Sequence, residues 1–212
     1  MTNNNFDTII FDLGNVLIDF DHHIAVEKIC KFTAKTRDEI YQLFFDSGIT
    51  EVFEEGKIDG PEFYARVKEM LEANLSFDEF LPIWNGIFFI TPQNRLMQKL
   101  LADLRHAYKL ILISNINELH FLYIKDNFDI FSHFHKIILS YEVGKRKPHP
   151  LIYQKALEAA RTSAQNAVYT DDRLDLIEAA AKLGITSIQF KSLEYLKDNF
   201  SKLKIDFEAT KI

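Results

Sequence analysis

The sequence predicts an α/β protein, a parallel and doubly wound sheet interrupted after its first strand by an all-helical insertion. Three observations predict it. Five short runs, Thr8 to Phe11, Lys109 to Ile113, Lys136 to Leu139, Ala167 to Tyr169 and Thr186 to Phe190, are rich in isoleucine, leucine and valine. Such continuously apolar runs suit strands covered on both faces. From Lys109 onward helical patterns alternate with these runs through short links, the order that builds a parallel sheet with crossover helices. Between the first run and the second, residues 21–89 carry several helix starts and no convincing strand.

The first strand ends in Asp12, and Leu13-Gly14-Asn15-Val16 then turns the chain. In the insertion, Thr36-Arg37-Asp38-Glu39 and Ser76-Phe77-Asp78-Glu79 have the capping-box spacing, in which hydroxyl and carboxylate satisfy orphan amides reciprocally. Asp59-Gly60-Pro61 opens a third helix with Phe63, Val67 and Met70 on one face. Thr91-Pro92 starts a helix with Leu96, Leu100 and Leu104 inward, leading into the second strand. Further on, Asn117 begins one helix and His149-Pro150 another, with proline at a tolerated first-turn position. Asp175 to Leu183 reads as a helix closed by Gly184, and Ser192 to Leu203 as the last helix. The expected organisation is a sheet domain of residues 1–20 and 90–212 with a helical domain of residues 21–89 inserted in it.

Composition narrows the function. With 212 residues, 47% hydrophobic and 13% aromatic, the chain can bury a sizeable core. A net charge of −6 without an extended basic run argues against a nucleic-acid partner, while one local cationic site can still receive a small phosphorylated molecule. Cys30 is the only cysteine, so no internal disulfide forms and a reducing compartment fits; its apolar surroundings read as a buried core thiol. Met1 to Asn5 lack the basic start of a secretion signal, and no run approaches the ~18 apolar residues of a membrane span. The expectation is a cytoplasmic protein, a monomer or weak homodimer, whose phenylalanines fill the core.

Four polar clusters fall in an order that suits one phosphate site, three of them directly after strand-like runs. Ligands of open α/β sheets bind at the C-terminal edge, where Asp12 stands. Aspartate there can attack phosphorus and form an acyl phosphate; alone it also reads as a carboxylate capping a turn. Ser114-Asn115 precede a helix start and offer a hydroxyl, an amide and backbone N–H groups as an anion cradle, or equally a simple cap. In Gly144-Lys145-Arg146-Lys147-Pro148-His149-Pro150, Lys145 and Arg146 read as solvated surface. Lys147 differs, because Pro148 restricts the backbone and a helix starts there. Asp171, Asp172 and Asp175 cluster after the fourth strand. Clustered carboxylates repel unless a cation holds them, and hard oxygen ligands favour Mg²⁺; a helix N-terminus also favours such acids.

Phe11-Asp12-Leu13-Gly14-Asn15-Val16-Leu17 resembles the first motif of the haloacid dehalogenase-like (HAD) hydrolases, and the later clusters match the other motifs of that superfamily in order, over nearly the whole chain. The resemblance implies a Rossmann-like core with an inserted helical C1-type cap. It implies a Mg²⁺-dependent phosphatase in which Asp12 is the nucleophile, Ser114 with Asn115 binds the phosphoryl group, and Lys147 neutralises both nucleophile and phosphate. It makes Asp12, the Gly14 carbonyl and Asp171 the metal ligands. Asp172 and Asp175 would then orient the metal's waters or hold Lys147.

One position departs from the pattern. Most phosphatases of this superfamily carry a second aspartate two residues after the nucleophile, as general acid and base. Here that position is Gly14, which cannot move a proton. Three functions follow. The first is hydrolysis of a phosphate whose leaving group needs little protonation, such as glucose 1-phosphate, and the Asp-Leu-Gly-Asn-Val form resembles a bacterial subgroup acting on such sugar phosphates. The second is a metal-independent 2-haloacid dehalogenase, which the acidic cluster argues against. The third is a catalytically silent binding protein. Asp19 and Asp21, just past the first motif, offer a source for the missing proton transfer or read as solvated loop acids. His22 and His23 read as surface residues, His149 as a helix-start residue, and Glu55-Gly56-Lys57 as a turn that either reaches substrate or faces solvent.

Overall fold

The computed structural model describes residues 6–45 and 47–207, so the reading of Met1 to Asn5 lies outside the described residues. In chain order the elements are β1 (Thr8–Phe11), β2 (Asp19–Phe20), α1 (His22–Ile29), α2 (Arg37–Phe45), α3 (Ile49–Glu54), α4 (Gly60–Leu71), α5 (Phe77–Asn85), β3 (Phe88–Phe89) and α6 (Pro92–Leu104). There follow β4 (Lys109–Ser114), α7 (Glu118–Asn127), β5 (Lys136–Leu139), α8 (Ser140–Val143), α9 (Pro150–Ala160), β6 (Ala167–Asp171), α10 (Leu174–Ala181), β7 (Thr186–Gln189) and α11 (Leu193–Lys202).

The main sheet has the order β5-β4-β1-β6-β7, with every pairing parallel. Successive residues of each strand point to opposite faces. Ile9, Phe11, Leu110, Leu112 and Val168 therefore pack with Met97, Leu104, Ile124, Leu196 and Phe200 from α6, α7 and α11. Ile10, Ile111, Ile113 and Tyr169 pack on the other face with Ile152, Tyr153, Ala156 and Ile177 from α9 and α10. Two covered faces account for the unbroken apolar runs. From β1 the chain moves to β4 and β5 on one side, then crosses to β6 and β7 on the other. The order therefore reverses around β1, where α/β sheets open their ligand crevice.

The insertion has its own core, in which Ala25, Phe44, Phe53, Phe63, Val67, Leu71, Phe80 and Trp84 meet. Ser76 and Glu79 form the expected capping box. Thr36 and Glu39 exchange equivalent bonds, with the Thr36 amide 2.7 Å from Glu39 Oε2. Asp59 caps α4 through the Glu62 amide at 2.8 Å. Asn117 caps α7 and His149 caps α9, with Pro150 as its first residue.

Several expectations need correction. The insertion is not wholly helical, because β3 pairs antiparallel with β2 in a two-residue ribbon where the chain leaves and re-enters the sheet domain. Asp19 in that ribbon accepts a bond from Asn94 Nδ2 at 3.2 Å, so it is anchored. In α6, Leu96 is 45% exposed, and Met97 is buried instead with Leu100, Leu101 and Leu104. A spacing of four overshoots the helical period by about 40° at each step, so a face drawn through three such positions drifts off the core. In α4, Met70 is half-buried and Leu71 buried beside Phe63 and Val67. Cys30 is half-buried against the insertion core rather than enclosed. β6 runs two residues beyond Tyr169, since Thr170 and Asp171 pair with Ile188 and Gln189. α1, α3 and α8 are too short for periodicity to declare them.

Candidate active site

Three neighbouring strands deliver polar groups to one edge of the sheet. Asp12 follows β1, held by its amide bond to Thr170 O at 3.0 Å, Ser114 ends β4 and Asp171 ends β6. Lys147, in the link from α8 to α9, is only 3% exposed. Its ammonium lies 2.6 Å from Asp12 Oδ1 and 2.7 Å from Asp171 Oδ2, one cation clamped between two carboxylates. The backbone around it is fixed by Asn115, whose Oδ1 accepts from the Lys147 amide at 2.7 Å and whose Nδ2 donates to the Lys147 carbonyl at 2.9 Å. Asn115 therefore positions Lys147 while also lining the cleft where a phosphate contact is expected of it. Ser140 Oγ holds the adjoining loop by accepting from the Ile116 amide at 2.9 Å and donating to its carbonyl at 3.1 Å.

Burial raises the Asp12 carboxyl to about 7, with the nearby Asp171 charge adding to this and Lys147 opposing it. Burial disfavours the Lys147 ammonium, but the Asp12 and Asp171 charges outweigh it and hold the group protonated. For Asp171, burial acts upward and is overcome by Lys147 and by a hydrogen bond from Tyr169, so its carboxyl lies below the ordinary carboxylate range.

Asp12, Asp171 and Asp172 each present an oxygen, and these oxygens lie within 4.8 Å of one another. An all-oxygen, multiply anionic donor set beside one lysine fits a hard divalent cation. Asp172 thus offers an oxygen to the same group, one of the two roles open to it. Asn15 Nδ2 donates to its Oδ2 at 3.1 Å, from a left-handed backbone at φ +55° that asparagine tolerates. Asp175 is exposed and paired with Arg173 at 2.7 Å, and Lys147 is held without it. Gly14 lines the same cleft. A side chain there would begin 2.7 Å from Phe20 Cε1, so the ring of Phe20 occupies the space an acidic residue would need.

Above this floor lies a cleft of about 290 Å³. Its far wall is aromatic and comes largely from the insertion: Phe20, His22, Phe44, Phe45, Trp84 and Phe88. His22 is therefore a cleft residue, its ring in tilted contact with Phe20 and Phe45 and its acidity held near 4 by burial; His23 is exposed. His120, from α7, is buried against Trp84 and Phe88 and its acidity lies at about 3 for the same reason. Arg146 is not solvated surface. It reaches across to α3, with Nε 2.7 Å from Glu54 Oε2 and a terminal nitrogen 2.7 Å from Glu51 Oε1. Of the expected Glu55-Gly56-Lys57 turn, Glu55 pairs with Lys57, and Gly56 (φ +65°) lies so close to Tyr141 O that a Cβ would collide with it. The insertion residues that line the cleft from this side are Thr50, Glu51 and Glu54 instead.

Sequence reasoning missed Asn15, Glu54, Trp84 and His120. Asn15 was accessible from its place after glycine in a turn. The others carry no local signal, because only tertiary packing brings α3, α5 and α7 to the cleft.

The open parallel sheet gathers carboxylates and a buried lysine at one edge of the cleft. The chain belongs to the haloacid dehalogenase-like hydrolases, whose family model matches residues 6–184. It is 26% identical over 187 residues to the D-ribitol-5-phosphate phosphatase of Bacteroides thetaiotaomicron, covering 85% of this chain and 90% of that protein. A crystal structure of a HAD family enzyme from the same organism, a magnesium complex, superposes with a TM-score of 0.81 at 29% identity, covering 92% of this chain and 98% of that one. A second, the wild-type protein with magnesium and inorganic phosphate, gives a TM-score of 0.78 at 29% identity, covering 89% and 96%. Among the described residues, no helix is long and apolar enough to cross a membrane.

Proposed function

We propose that the chain is a Mg²⁺-dependent phosphomonoester hydrolase that works through an aspartyl phosphate on Asp12, with a small sugar or polyol phosphate as substrate. The observation that carries this reading is the clamp of Asp12, Lys147 and Asp171 beside a third carboxylate on the cleft floor. Asp12, Asp171 and Asp172, with the Gly14 carbonyl, would hold the ion. Bound Mg²⁺ supplies positive charge that lets an anionic nucleophile and an anionic phosphate approach. The chain's own groups do the rest. Asp12 attacks phosphorus in line, Lys147 keeps the attacking carboxylate oriented and neutralises the phosphate, and the Ser114 hydroxyl donates to a phosphoryl oxygen. Electropositive positioning of this kind dominates phosphoryl transfer.

Residues 21–89 act as a cap over the core of residues 1–20 and 90–212. Its aromatic wall offers flat faces to the C–H surface of a compact polyhydroxylated substrate and keeps bulk water from the acyl phosphate. Glucose 1-phosphate suits a site whose Gly14 carries no acid. The ribitol phosphate handled by the Bacteroides relative adds a primary alkyl phosphate to the candidates.

The test is a panel of glucose 1-phosphate, ribitol 5-phosphate and 2-chloropropionate, assayed for phosphate and chloride with Mg²⁺ or EDTA. Phosphate release that EDTA stops and Mg²⁺ restores is the expected result. Metal-independent chloride release would instead identify a dehalogenase, and inactivity on the whole panel a binding protein.

A further inference from the structure

The phosphomonoesterase reading leaves one chemical gap, a proton for the departing alkoxide, and Gly14 cannot supply it. In-line attack by Asp12 from the core floor drives the leaving oxygen away from the sheet and toward the cap. The proton donor must therefore come from the cap side of the cleft. The titratable groups lining that cleft are few. Asp12 is the nucleophile, and Asp172 belongs to the metal-binding face with its Oδ2 bonded to Asn15. Arg146, Lys147 and Arg173 are cations with no proton to lend at neutral pH. His22 and His120 are held neutral by burial. Glu51 is 64% exposed at its side chain. Glu54 is what remains, a carboxyl on the cap helix α3 with its side chain 17% exposed.

We propose that Glu54 is the general acid–base of this enzyme, delivered by the cap in place of the core acid that the Gly14 position lacks. The assignment rests on the phosphatase reading above. Arg146 stands one residue before Lys147, so a single segment carries one cation down to the Asp12–Asp171 pair and the next across to Glu54 and Glu51. That arrangement fixes the carboxyl of the cap relative to the nucleophile of the core. The charged groups around Glu54 are Arg146, Glu51 and Lys147. Burial raises its carboxyl above the ordinary range, Arg146 and Lys147 oppose this, and Glu51 reinforces it, so the group keeps a proton to higher pH than an exposed glutamate.

The proton balance closes over the two half-reactions. The Asp12 carboxylate forms the O–P bond as the bond from phosphorus to the leaving oxygen breaks, and that oxygen takes the proton of Glu54 and departs as the alcohol. Water then attacks phosphorus, Glu54 recovers one proton from it, and the Asp12–phosphorus bond breaks to release hydrogen phosphate and the free carboxylate. An acid in this position opens the site to unactivated alkyl phosphates as well as anomeric ones.

The test compares rapid-mixing bursts for the wild type and Glu54→Gln, using ribitol 5-phosphate and p-nitrophenyl phosphate, whose leaving group needs no proton. The expected result is a burst of nitrophenolate that changes by less than about 5-fold, with slowed later turnover, while the alkyl ester loses roughly 10²-fold or more in its first step. In the wild type the alkyl rate should fall as pH rises through the Glu54 pKa, and this limb should vanish in Glu54→Gln. Equal loss on both esters, or no loss on either, overturns the assignment. Should Glu54→Gln not fold, Arg146→Gln serves: removing the opposing cation should move the same limb to higher pH, and an unmoved limb overturns the proposal. Wild type that turns over neither ester overturns the phosphatase reading itself, an outcome distinct from active wild type with an indifferent Glu54→Gln.

Discussion

The floor and the roof of the cleft are built by opposite rules. On the floor, Asp12, Ser114 and Asp171 sit at the ends of three adjacent parallel strands, and Lys147 joins them from a link pinned by Asn115. Strand ends cannot move without moving the sheet, so charges that would repel are held at 2.6 and 2.7 Å around one ammonium. The roof is a set of aromatic rings and two glutamates, Glu51 and Glu54, carried on short helices with a separate core, joined to the sheet domain by the ribbon of β2 and β3. The difference teaches a division of labour. On the proposed mechanism, the chemistry of phosphoryl transfer falls to the rigid element, and the choice of leaving group to the part that packs by itself.

Breaking the floor should cost most. Asp12→Asn should lower phosphate release on the order of 10⁴-fold or more while leaving the circular dichroism spectrum unchanged; substantial residual turnover would remove Asp12 from the nucleophile's role. Lys147→Met strands two buried carboxylates. Denaturant unfolding of metal-free protein should show a loss of about 3–5 kcal/mol, with activity falling alongside. A loss below about 1 kcal/mol would mean that the pair relaxes freely and that the floor is less rigid than its geometry implies.

The floor was also the legible part. Asp12, Ser114 and Asp171 close apolar runs and Lys147 stands just before Pro148 and a helix start, so all four announce themselves within a few neighbours. Even there, local reading could not show that Asn115 fixes the backbone of Lys147, because hydrogen bonds spanning 32 residues leave no mark on local sequence. The roof was almost silent. Phe44, Trp84 and His120 look like core residues in sequence, and Arg146 like surface, since the insertion's packing alone decides which faces turn to the cleft. The strands were legible because they are buried on both faces, while the face of α6 was misjudged where a spacing of four stood in for the helical period.

Smaller effects probe the seam between floor and roof. Gly14→Ala forces its new methyl against the ring of Phe20, itself packed on His22 and Phe88, and should lower stability by about 1–3 kcal/mol in thermal unfolding. An unchanged melting temperature would show that Phe20 yields, leaving room for an acid at this position. The smallest expected effect belongs to His120. Its folded acidity near 3 lies below the 6.5 of the free side chain, so the fold is penalised as pH drops below 6.5 and the unfolded chain binds a proton that the folded one refuses. Wild type should therefore lose up to about 2 kcal/mol more than His120→Phe between pH 7 and pH 5. Identical losses would place a proton on His120 in the native state and a more polar roof around it.

The central claim is a covalent bond between Asp12 and phosphorus. It is met most directly by acid-quenching wild-type enzyme within milliseconds of mixing with Mg²⁺ and substrate, then mapping phosphate by peptide mass spectrometry. A transient adduct on Asp12 that forms and decays at rates able to support turnover is the predicted result. Turnover with no phosphate on Asp12, or with phosphate on another residue, would contradict it.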